Sequence, residues 1–516
     1  MRKRAAGVVG ALLLGCVALM AGAPAGIADD VLLEHIRFLA SDDLKGRGNG
    51  SEELEVASEY IARQFEEVGL SPGGVDGGWF QPFELIAGLK VGSPNELTVR
   101  YPGGSVAFTL AESYYPLAAP ARESLATPST ELRDIPVVFA GHGLAVPAVG
   151  YDDYADIDVR DKAVLIFSHE PQEQDRRSRL NGRRAMPQTT LEAKAGLAYH
   201  HGARVLIVVG DPSHDVDEAH YGIFSGDPDA ADQPIPVLRV RRTEAQPLVD
   251  AFGLDGLAGE IDGDLMPRSR PLEGVAVTYV EHLARNRQIV RNVVGLLPGS
   301  NPSLAHESIV IGAHYDHVGL GGRLSVTPER TGEIHNGADD NASGTASIIE
   351  IARAAIAERP RFPRTLVFVA FAGEERGLLG SARYANDPPL PIAGTIAMLN
   401  LDMVGRAMGA VDVSGLEVSP SMEADLQAAI EAAGTTLKIG REGPGAGRSD
   451  DYNFLNRRIP AINFFTGFHD DYHRPGDDWE KVDAAGTRQV ATLALELAAR
   501  LAGRETRPEF VPQPRR

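Results

Sequence analysis

The stretch S-I-V-I-G-A-H-Y-D-H at residues 308–317 joins a strand pattern to metal-binding side chains. Its first half is a continuous apolar, β-branched run, which is typical of a strand buried on both faces of a sheet. Four more segments of the second half carry histidines or carboxylates, mostly just after another apolar run: N-G-A-D-D-N-A-S-G at 336–344, A-G-E-E-R-G at 372–377, N-L-D-M-V-G at 400–405 and D-Y-H-R-P-G-D at 471–477. Together they suit two cations and one general base, and so predict metal-assisted hydrolysis.

Beyond residue 288, apolar runs alternate with helical patterns. This alternation predicts an α/β fold with a mostly parallel central sheet flanked by helices, in which ligands bind beyond the carboxyl ends of the strands. The predicted strands are 293–297, 308–313, 365–370, 396–401 and 461–465, and the predicted helices are 342–357, 377–385, 421–433 and 486–501.

The first half of the chain shows a different pattern of predicted helices and strands. Helical spacing of apolar residues predicts two helices within residues 29–70, separated by a glycine-rich loop at 45–51, and residues 79–130 read as β-structure. Residues 134–280 contain short β-rich runs and almost none of the ligand types found later. The predicted division is a signal peptide at 1–28, two parts of one main domain at 29–133 and 281–504, a small β-rich inserted domain at 134–280, and a flexible tail at 505–516.

The N-terminus predicts export. Basic residues 2–4 precede a short apolar stretch that ends in small residues, and Gly26-Ile27-Ala28 suits a cleavage site. The run is short for a membrane anchor, so the mature chain is expected to be secreted or periplasmic, without stable membrane insertion. The only cysteine, Cys16, ends an L-L-G-C sequence that resembles a lipoprotein acylation site, although the apolar run continues past it to Met20. A lipid anchor at Cys16 is therefore the alternative.

The net negative charge of the chain argues against some classes of binding partner. The 516 residues contain 50 Lys and Arg against 71 Asp and Glu, for a formal net charge of −21. Such an acidic chain is a poor binder of nucleic acid and of anionic membranes, so no nucleic-acid partner is expected.

The first segment offers one ligand and one orienting group. His314 follows the apolar run and should emerge at a strand end. Asp316 stands two residues later and would point to the same side of an extended segment. Its carboxylate is therefore expected to accept the other ring N–H of His314, which fixes the tautomer of a metal-bound histidine.

In each of two adjacent acidic pairs, Asp339-Asp340 and Glu374-Glu375, the two residues are expected to have different roles. One of Asp339 and Asp340 suits a carboxylate that bridges two metals, since only one of two neighbours can aim at a given point, whereas helix capping is the ordinary role of such a residue. Glu374 and Glu375 follow a buried-type strand, so one can bind metal while the other acts as base on the activated water.

Two further segments complete the inventory. Asp402 follows another strand pattern and fits a ligand at a strand end, and His473 lies in a loop rich in turn residues. Four other histidines are nearby competitors, which we interpret as structural, substrate-side or exposed: His306, His317, His335 and His469.

As an ordered set, these segments resemble the co-catalytic di-zinc aminopeptidases of peptidase clan MH, a group that also contains glutamate carboxypeptidases and glutaminyl cyclases. The resemblance covers roughly residues 30–130 and 285–500 and implies the zinc exopeptidase fold, which is phosphorylase/hydrolase-like. It implies two Zn²⁺ ions per chain. One is held by His314 and Asp402, the other by Glu375 and His473, and Asp340 joins them. It also implies Glu374 as general base toward a water that bridges the two ions.

Two more features follow from the resemblance. Tyr472 matches a tyrosine that donates to the tetrahedral oxyanion in some members. Arg448-Ser449-Asp450 resembles a substrate-side Ser-Asp-His segment, but Asp451 stands where that histidine is expected. This departure leaves pocket chemistry and specificity open.

The region before the metal segments carries its own resemblance. The segments V-F-A-G-H-G at 138–143, Y-D-D-Y at 151–154, K-A-G at 194–196 and H-G-A at 201–203 resemble the protease-associated domain, a module commonly inserted into exopeptidases.

The function implied is a secreted zinc aminopeptidase that acts on peptide substrates. A carboxypeptidase or dipeptidase of the same fold is the runner-up, with four arginines available for a substrate carboxylate: Arg441, Arg448, Arg457 and Arg458. A glutaminyl cyclase fits less well with a full two-metal ligand set. A non-catalytic, receptor-like binding protein is the alternative from another class.

Overall fold

The computed structural model describes residues 26–118, 125–180, 186–212, 234–322, 324–327, 330–441 and 447–512. Residues 1–25 of the predicted signal peptide, including Cys16, lie outside this part. Over the described ranges, no helix combines the length and apolar composition needed to cross a membrane.

Ten α-helices are described. They are α1 (Asp29–Leu39), α2 (Glu52–Val68), α3 (Leu191–His200), α4 (Arg242–Ala251), α5 (Leu254–Asp264), α6 (Gly344–Ala357), α7 (Leu379–Asn386), α8 (Glu423–Ala433), α9 (Asp451–Leu455) and α10 (Ala484–Ala502).

Nineteen strands are described. They are β1 (Ser71–Pro72), β2 (Phe80–Val91), β3 (Glu96–Tyr101), β4 (Gly104–Phe108), β5 (Tyr114–Ala118), β6 (Thr130–Phe139), β7 (Ala145–Val146), β8 (Tyr151–Asp152), β9 (Ala163–Phe167), β10 (Val205–Val209), β11 (Val237–Val240), β12 (Arg270–Glu281), β13 (Leu283–Leu297), β14 (Ser308–His314), β15 (Thr365–Phe371), β16 (Thr395–Leu401), β17 (Ala410–Ser414), β18 (Lys438–Gly440) and β19 (Ala461–Phe465).

The central sheet has nine strands in the order β1-β13-β15-β14-β16-β19-β17-β18, with β2 paired to β13. Its four middle strands, β15, β14, β16 and β19, are mutually parallel, as the sequence predicts. The strands added at either side, β13 and β17, run antiparallel to their inner neighbours. The parallel strands therefore present their carboxyl ends together at one edge.

Both faces of this sheet are covered, which explains why its strands are apolar throughout. Alternate side chains of β14 and β15, such as Ile309 and Phe368, belong to a core shared with α1, α2, α6, α8 and α10. The intervening side chains, such as Val310 and Val367, pack on the other face against α7 and α9. The expected α/β architecture, a parallel sheet between helical layers, is thus observed.

A second sheet of eight strands lies in the first half of the chain, in the order β4-β3-β12-β6-β9-β10-β11-β5. Strands β6, β9, β10 and β11 are parallel to one another, whereas β12 and β5 run antiparallel to β6 and β11 at either side. Its earliest strand begins at Glu96 and pairs with β12, so the sheet starts upstream of residue 134. A boundary between the two domains at residue 134 remains a prediction. The eight-stranded sheet, however, also contains β3, β4 and β5, which fall within the predicted part at 29–133.

The two sheets are connected through a long strand pair. Strand β2 runs antiparallel to β13 from Phe80 opposite Val293 to Val91 opposite Leu283. The chain thus leaves the central sheet at the end of β2, near Val91, and returns to it directly opposite, at Leu283 of β13.

The predicted flexible tail is instead attached over its described residues. The Val511 N–H donates to the Val418 carbonyl at 2.7 Å, and the Arg507 guanidinium donates to Glu307 at 2.7 Å. These contacts tie residues 505–512 to the central-sheet domain, whereas residues 513–516 lie outside the described residues.

Candidate metal centre

The predicted ligands meet beyond the carboxyl ends of the parallel strands. His314 is the last residue of β14, Asp402 directly follows β16, and Glu374 and Glu375 follow β15 after a turn at Gly373, whose φ is +73°. His473 comes from the loop after β19. This is the edge at which a parallel sheet collects loops from separate strands.

The side chains form two groups of convergent ligand atoms. One group is His314, Glu374 and Asp402, and the other is His317, Asp340, Glu375 and His473. Asp340 joins them, because its Oδ1 lies 3.2 Å from His314 Nε2 and its Oδ2 lies 3.1 Å from His473 Nε2. In addition, His314 Nε2 is 3.4 Å from Asp402 Oδ1, and His473 Nε2 is 3.2 Å from Glu375 Oε2.

These spacings fit zinc. Ligand atoms at about 2.0–2.1 Å from a tetrahedral zinc ion are separated from one another by about 3.3 Å, and imidazole with carboxylate is a donor set that zinc prefers. The observed separations between the ring nitrogens and the carboxylate oxygens, 3.1–3.4 Å, lie around this value. The residues present therefore fit a zinc ion in each group.

Backbone carbonyls orient both histidines. His314 Nδ1 donates to the Asp316 carbonyl at 3.1 Å, and His473 Nδ1 donates to the Leu324 carbonyl at 2.7 Å. Each ring therefore turns Nε2 toward the carboxylates as a potential ligand atom.

The structure distinguishes Asp339 from Asp340. The Asp339 carboxylate accepts the Gly405 N–H at 2.5 Å and lies 3.2 Å from His469 Nε2, which turns it away from the two ligand groups. Asp477 holds both residues in place, since its Oδ2 accepts the backbone N–H of Asp339 at 2.9 Å and of Asp340 at 3.1 Å. Asp340 is thereby left as the shared carboxylate.

Our expectation for Asp316 is wrong in its detail. Its carboxylate does not form the hydrogen bond to His314 Nδ1, which lies 3.9 Å from Asp316 Oδ1 and donates instead to the Asp316 carbonyl. The carboxylate accepts the backbone N–H groups of Glu374 and Glu375 at 3.1 and 3.2 Å, and the Asn49 amide at 2.6 Å. Asp316 therefore positions the loop that carries the Glu-Glu pair.

The surroundings of the site shift the pKa values of its carboxyl groups in opposite directions. Burial raises the pKa of Glu374 well above its usual range, and neighbouring Glu375 and Asp402 add to this effect against His314. Burial also favours neutral Asp340, but His314 and His473 outweigh it and hold the Asp340 pKa well below its usual range. Glu374 is thus disposed to hold a proton, whereas Asp340 remains an anion.

Tyr472 lies beside the second ligand group. Its ring stacks on the His473 imidazole with centroids 4.0 Å apart. Burial and the carboxylates of Asp340, Glu375 and Asp402 raise the pKa of the Tyr472 phenol. The hydroxyl accordingly stays protonated at neutral pH.

His317 is the residue that the sequence interpretation undervalued. It is 1% exposed and donates from Nδ1 to Glu375 Oε1 at 2.8 Å, which leaves Glu375 Oε2 facing His473. Gly337 makes room for its ring, because a Cβ at Gly337 would lie 2.5 Å from the imidazole. The three-residue spacing from His314 is a signal that could have marked His317 as part of the centre.

The other competing histidines lie apart from the ligand groups. His335 contacts the Ser325 hydroxyl at 2.8 Å, His469 contacts Asp339, and His306 is exposed. The interpretation of these three as structural or exposed residues agrees with their surroundings.

The Arg448-Ser449-Asp450 segment lies close behind the first group. The Asn400 amide, at the end of β16, donates to the Ser449 hydroxyl at 3.0 Å. Asp451, the departure from the expected histidine, accepts the Gly447 and Ser449 N–H groups at 2.6 and 3.2 Å and so holds this turn. Burial raises the pKa of Asp450 to about 7, with Asp316 and Asp402 adding to the effect against His314.

Two of the four arginines considered for a substrate carboxylate have other partners. Arg441 pairs with Glu423 at 2.9 Å, and Arg457 donates to the Asn453 carbonyl at 3.0 Å.

The fold and the paired clusters are those of a metallopeptidase domain, and residues 292–498 match the sequence profile of Peptidase family M28. Residues 292–498, which are less than half of the chain, are therefore similar to members of this family. Relatives of the chain include leucine aminopeptidase 1 of Trichophyton equinum, 36% identical over 142 residues, or 26% of this chain and 34% of the relative. Aminopeptidase YwaD of Bacillus subtilis (strain 168) is 27% identical over 240 residues, or 44% of this chain and 48% of the relative. The chain thus spans about a third to a half of these curated relatives.

One solved structure supports the fold over nearly the whole chain. It is an aminopeptidase from Aneurinibacillus sp. strain AM-1, with a TM-score of 0.56, 23% sequence identity, and coverage of 95% of this chain and 97% of that one.

Proposed function

We propose that the protein is an exported, zinc-dependent aminopeptidase that removes N-terminal residues from peptides. The observation that carries this proposal is the Asp340 carboxylate, which faces one ligand group with each oxygen, while Glu374 stands in the first group. Two zinc ions per chain suit this arrangement. The aminopeptidase names of the M28 relatives support the choice of substrate.

Zinc, when bound, would supply Lewis-acid activation of the scissile carbonyl and of the attacking water. His314 and Asp402 would hold one ion, Glu375 and His473 the other, and Asp340 both. Glu374 removes the proton of the attacking water and then delivers it to the leaving amine, a role that suits a carboxyl group with a raised pKa. The Tyr472 hydroxyl donates to the oxygen on which negative charge develops.

Selectivity for the N-terminus follows from charge. A peptide's free ammonium group is attracted to the carboxylates around the two ligand groups, where an acetylated end would lose that attraction. The internal peptide bonds of a long substrate lack this anchor, so cleavage is confined to the first residue.

The reaction is tested with the purified, zinc-loaded mature protein. The substrates are free and N-acetylated Leu-, Ala-, Lys- and Glu-anilides, together with a peptide that has a free acidic C-terminus. Cleavage of free anilides alone, abolished by a chelator, is the expected result. Release from the C-terminus, or indifference to acetylation, would move the assignment to the carboxypeptidase alternative.

Roles within the centre are tested by substitution. Glu374→Gln should retain two zinc ions but lose about 10²–10⁴-fold in kcat, whereas the same change at exposed Glu431 should have no effect. Asp340→Ala should weaken both sites, which zinc titration would report. Failure of the wild-type chain to bind close to two zinc ions would support the non-catalytic alternative.

Export is tested separately. Expression of the full chain in a bacterial host, followed by N-terminal sequencing of the recovered protein, should find a mature chain beginning at residue 29. Retention of residues 1–28 in the cytoplasmic fraction would contradict the signal-peptide assignment, and lipid attached to Cys16 would establish the anchored alternative.

A further inference from the structure

A second chemically distinctive cavity lies in the eight-stranded sheet, far along the chain from the metal centre. It opens beyond the carboxyl ends of the parallel strands β6, β9 and β10, has a volume of about 250 Å³ and is bordered on one side by α5. Its polar lining includes one histidine and five acidic residues: His142, Glu170, Glu173, Asp175, Asp211 and Asp262.

Two buried groups face this cavity without a hydrogen-bond partner. Glu170 is 6% exposed, and neither of its carboxylate oxygens is hydrogen-bonded. His142 is 3% exposed, and its Nε2 is likewise unpaired. Buried polar atoms are normally satisfied because desolvation is unfavourable, so two such groups lining one cavity indicate a ligand.

Both unpaired groups are hydrogen-bond acceptors. His142 Nδ1 lies 2.7 Å from the His169 carbonyl and donates to it, so Nε2 carries the lone pair. Burial lowers the pKa of His142 to about 3, with Lys194 adding to the effect, which keeps the ring neutral. The Lys194 ammonium is directed to the Ser168 and His169 carbonyls at 2.5 and 3.0 Å. The ligand must therefore supply donors, and the unpaired Glu170 carboxylate favours a donor that carries positive charge.

An organic cation fits better than a bare metal ion. Within the described ranges, three or more His, Asp or Glu ligand atoms converge in two places, and both belong to the metal centre. The residues that line the cavity form no such group. The volume exceeds that of an ion, and Pro212 and Ala258 supply an apolar wall for an aliphatic stem. The described lining includes no lysine or arginine that could fill the same role.

We propose that this cavity binds the guanidinium or ammonium group of an arginine or lysine side chain on a peptide. The planar guanidinium offers several N–H donors and pairs with carboxylates in a fork geometry, so arginine should bind more tightly than lysine. Glu170 accepts from the cation, and His142 Nε2 accepts a further N–H. This subsite is separate from the metal centre and does not depend on the reaction catalysed there.

Ion pairing has a consequence for Glu170. Burial, with Glu173 adding to it, raises the pKa of Glu170 to about 7. A bound cation favours the charged carboxylate, so ligand binding should release protons near neutral pH.

The binding test uses the full mature chain and calorimetric titration with N-acetyl-arginine amide, whose blocked ends remove the features that an exopeptidase recognises. We expect saturable binding, weaker binding of N-acetyl-lysine amide, and none of N-acetyl-citrulline amide, the uncharged analogue of arginine. Glu170→Gln should weaken binding by at least about tenfold, in line with loss of a charge-assisted contact. The control, Glu273→Gln, changes an exposed residue of β12 and should bind normally.

A second measurement does not depend on any variant. The imidazole nitrogen signals of His142 in the wild-type chain should shift on addition of the arginine amide, with Nε2 moving more than Nδ1. Unchanged anilide hydrolysis by Glu170→Gln would verify that the variant is folded.

Two further titrations decide the source of the cation. A blocked Gly-Gly-Arg-Gly-Gly peptide should bind at least as tightly as agmatine, a small free guanidinium compound, and preference for agmatine would overturn the peptide assignment. Equal binding of the citrulline amide, unchanged affinity in Glu170→Gln, or saturation by calcium chloride in place of the arginine amide would each overturn the proposal.

Discussion

Arg47 connects the N-terminal helices to the metal centre, and its replacement should be among the most damaging single changes. The side chain is 0% exposed and donates to four backbone carbonyls. These belong to Leu39, to Tyr315 at 2.7 Å, and to Asn336 and Gly337 at 2.8 and 2.9 Å. Burial lowers the pKa of Arg47 to about 10, against the carboxylates of Asp316 and Asp340, so the guanidinium stays charged at neutral pH.

The magnitude follows from these contacts. Each hydrogen bond from a charged donor contributes about 1.5–3 kcal/mol, and a carbonyl left unpaired in the interior costs about 1–3 kcal/mol. Contacts made by one side chain are not additive, and water can enter the space left behind. We therefore expect Arg47→Met to lower the free energy of unfolding by about 3–5 kcal/mol. Arg47→Lys, which has one nitrogen to share among the carbonyls, should lose about half as much.

Function should suffer beyond stability. Tyr315 lies beside His314, and Asn336 and Gly337 precede Asp340, so release of their carbonyls loosens two of the loops that present ligands. Displacement of a catalytic group by about 1 Å can cost about 10²-fold in rate. The folded fraction of Arg47→Met should accordingly bind zinc more weakly and turn over more slowly than the wild type.

The assay is urea unfolding followed by circular dichroism, with and without zinc. The matched control is Arg37→Met, since Arg37 is exposed and lies over the Trp479 ring at 4.1 Å, a contact worth about 0.5–1 kcal/mol. A free energy of unfolding for Arg47→Met within about 1 kcal/mol of the wild type would refute the reasoning, because water would then have replaced the guanidinium without loss.

Three further predictions concern other groups. His317→Ala should weaken one zinc site by about 10–100-fold, because Glu375 loses its orienting donor, and His317→Gln should restore part of the affinity; equal affinities in a competitive chelator titration would contradict this role. Asp316→Asn should lower kcat by about 10–100-fold with two zinc ions retained, because the Glu374 loop loses an acceptor; metal analysis together with kinetics separates this outcome from loss of zinc. Burial raises the pKa of Glu281, which is 0% exposed, from 4.5 to about 7, so its stabilising contribution is full below pH 4.5 and is lost as pH rises through 7. Glu281→Gln should therefore gain about 3 kcal/mol relative to the wild type between pH 4.5 and 8, and parallel urea curves with no pH-dependent gap would exclude this effect.

The parts of the fold that were predictable are those with a local signal. Strands β14, β15, β16 and β19 read as apolar runs because both of their faces are buried, and a parallel sheet collects the polar residues that follow such runs. The ligand candidates at these strand ends could therefore be expected to meet before any contact was known.

The parts that escaped prediction depend on distant contacts. The residues alone left Asp339 and Asp340 equivalent, and the distinction lies in partners of Asp339 more than 60 residues away, at Gly405 and His469. The orientation of the Asp316 carboxylate was mispredicted because the loop containing Glu374 supplies it with two N–H donors that local spacing does not reveal. The early start of the second sheet depends likewise on the pairing of β3 with β12, far apart in sequence.

The paired strands β2 and β13 make the eight-stranded sheet a replaceable module. Because Lys90 stands opposite Ala284, a short turn between these residues would reconnect the chain without moving the rest of the β2–β13 register. The same junction would accept an unrelated domain whose own termini lie close together. The eight-stranded sheet could thus be exchanged in evolution at the single junction between Lys90 and Ala284. The strand ends that present His314, Glu374 and Asp402 would stay aligned.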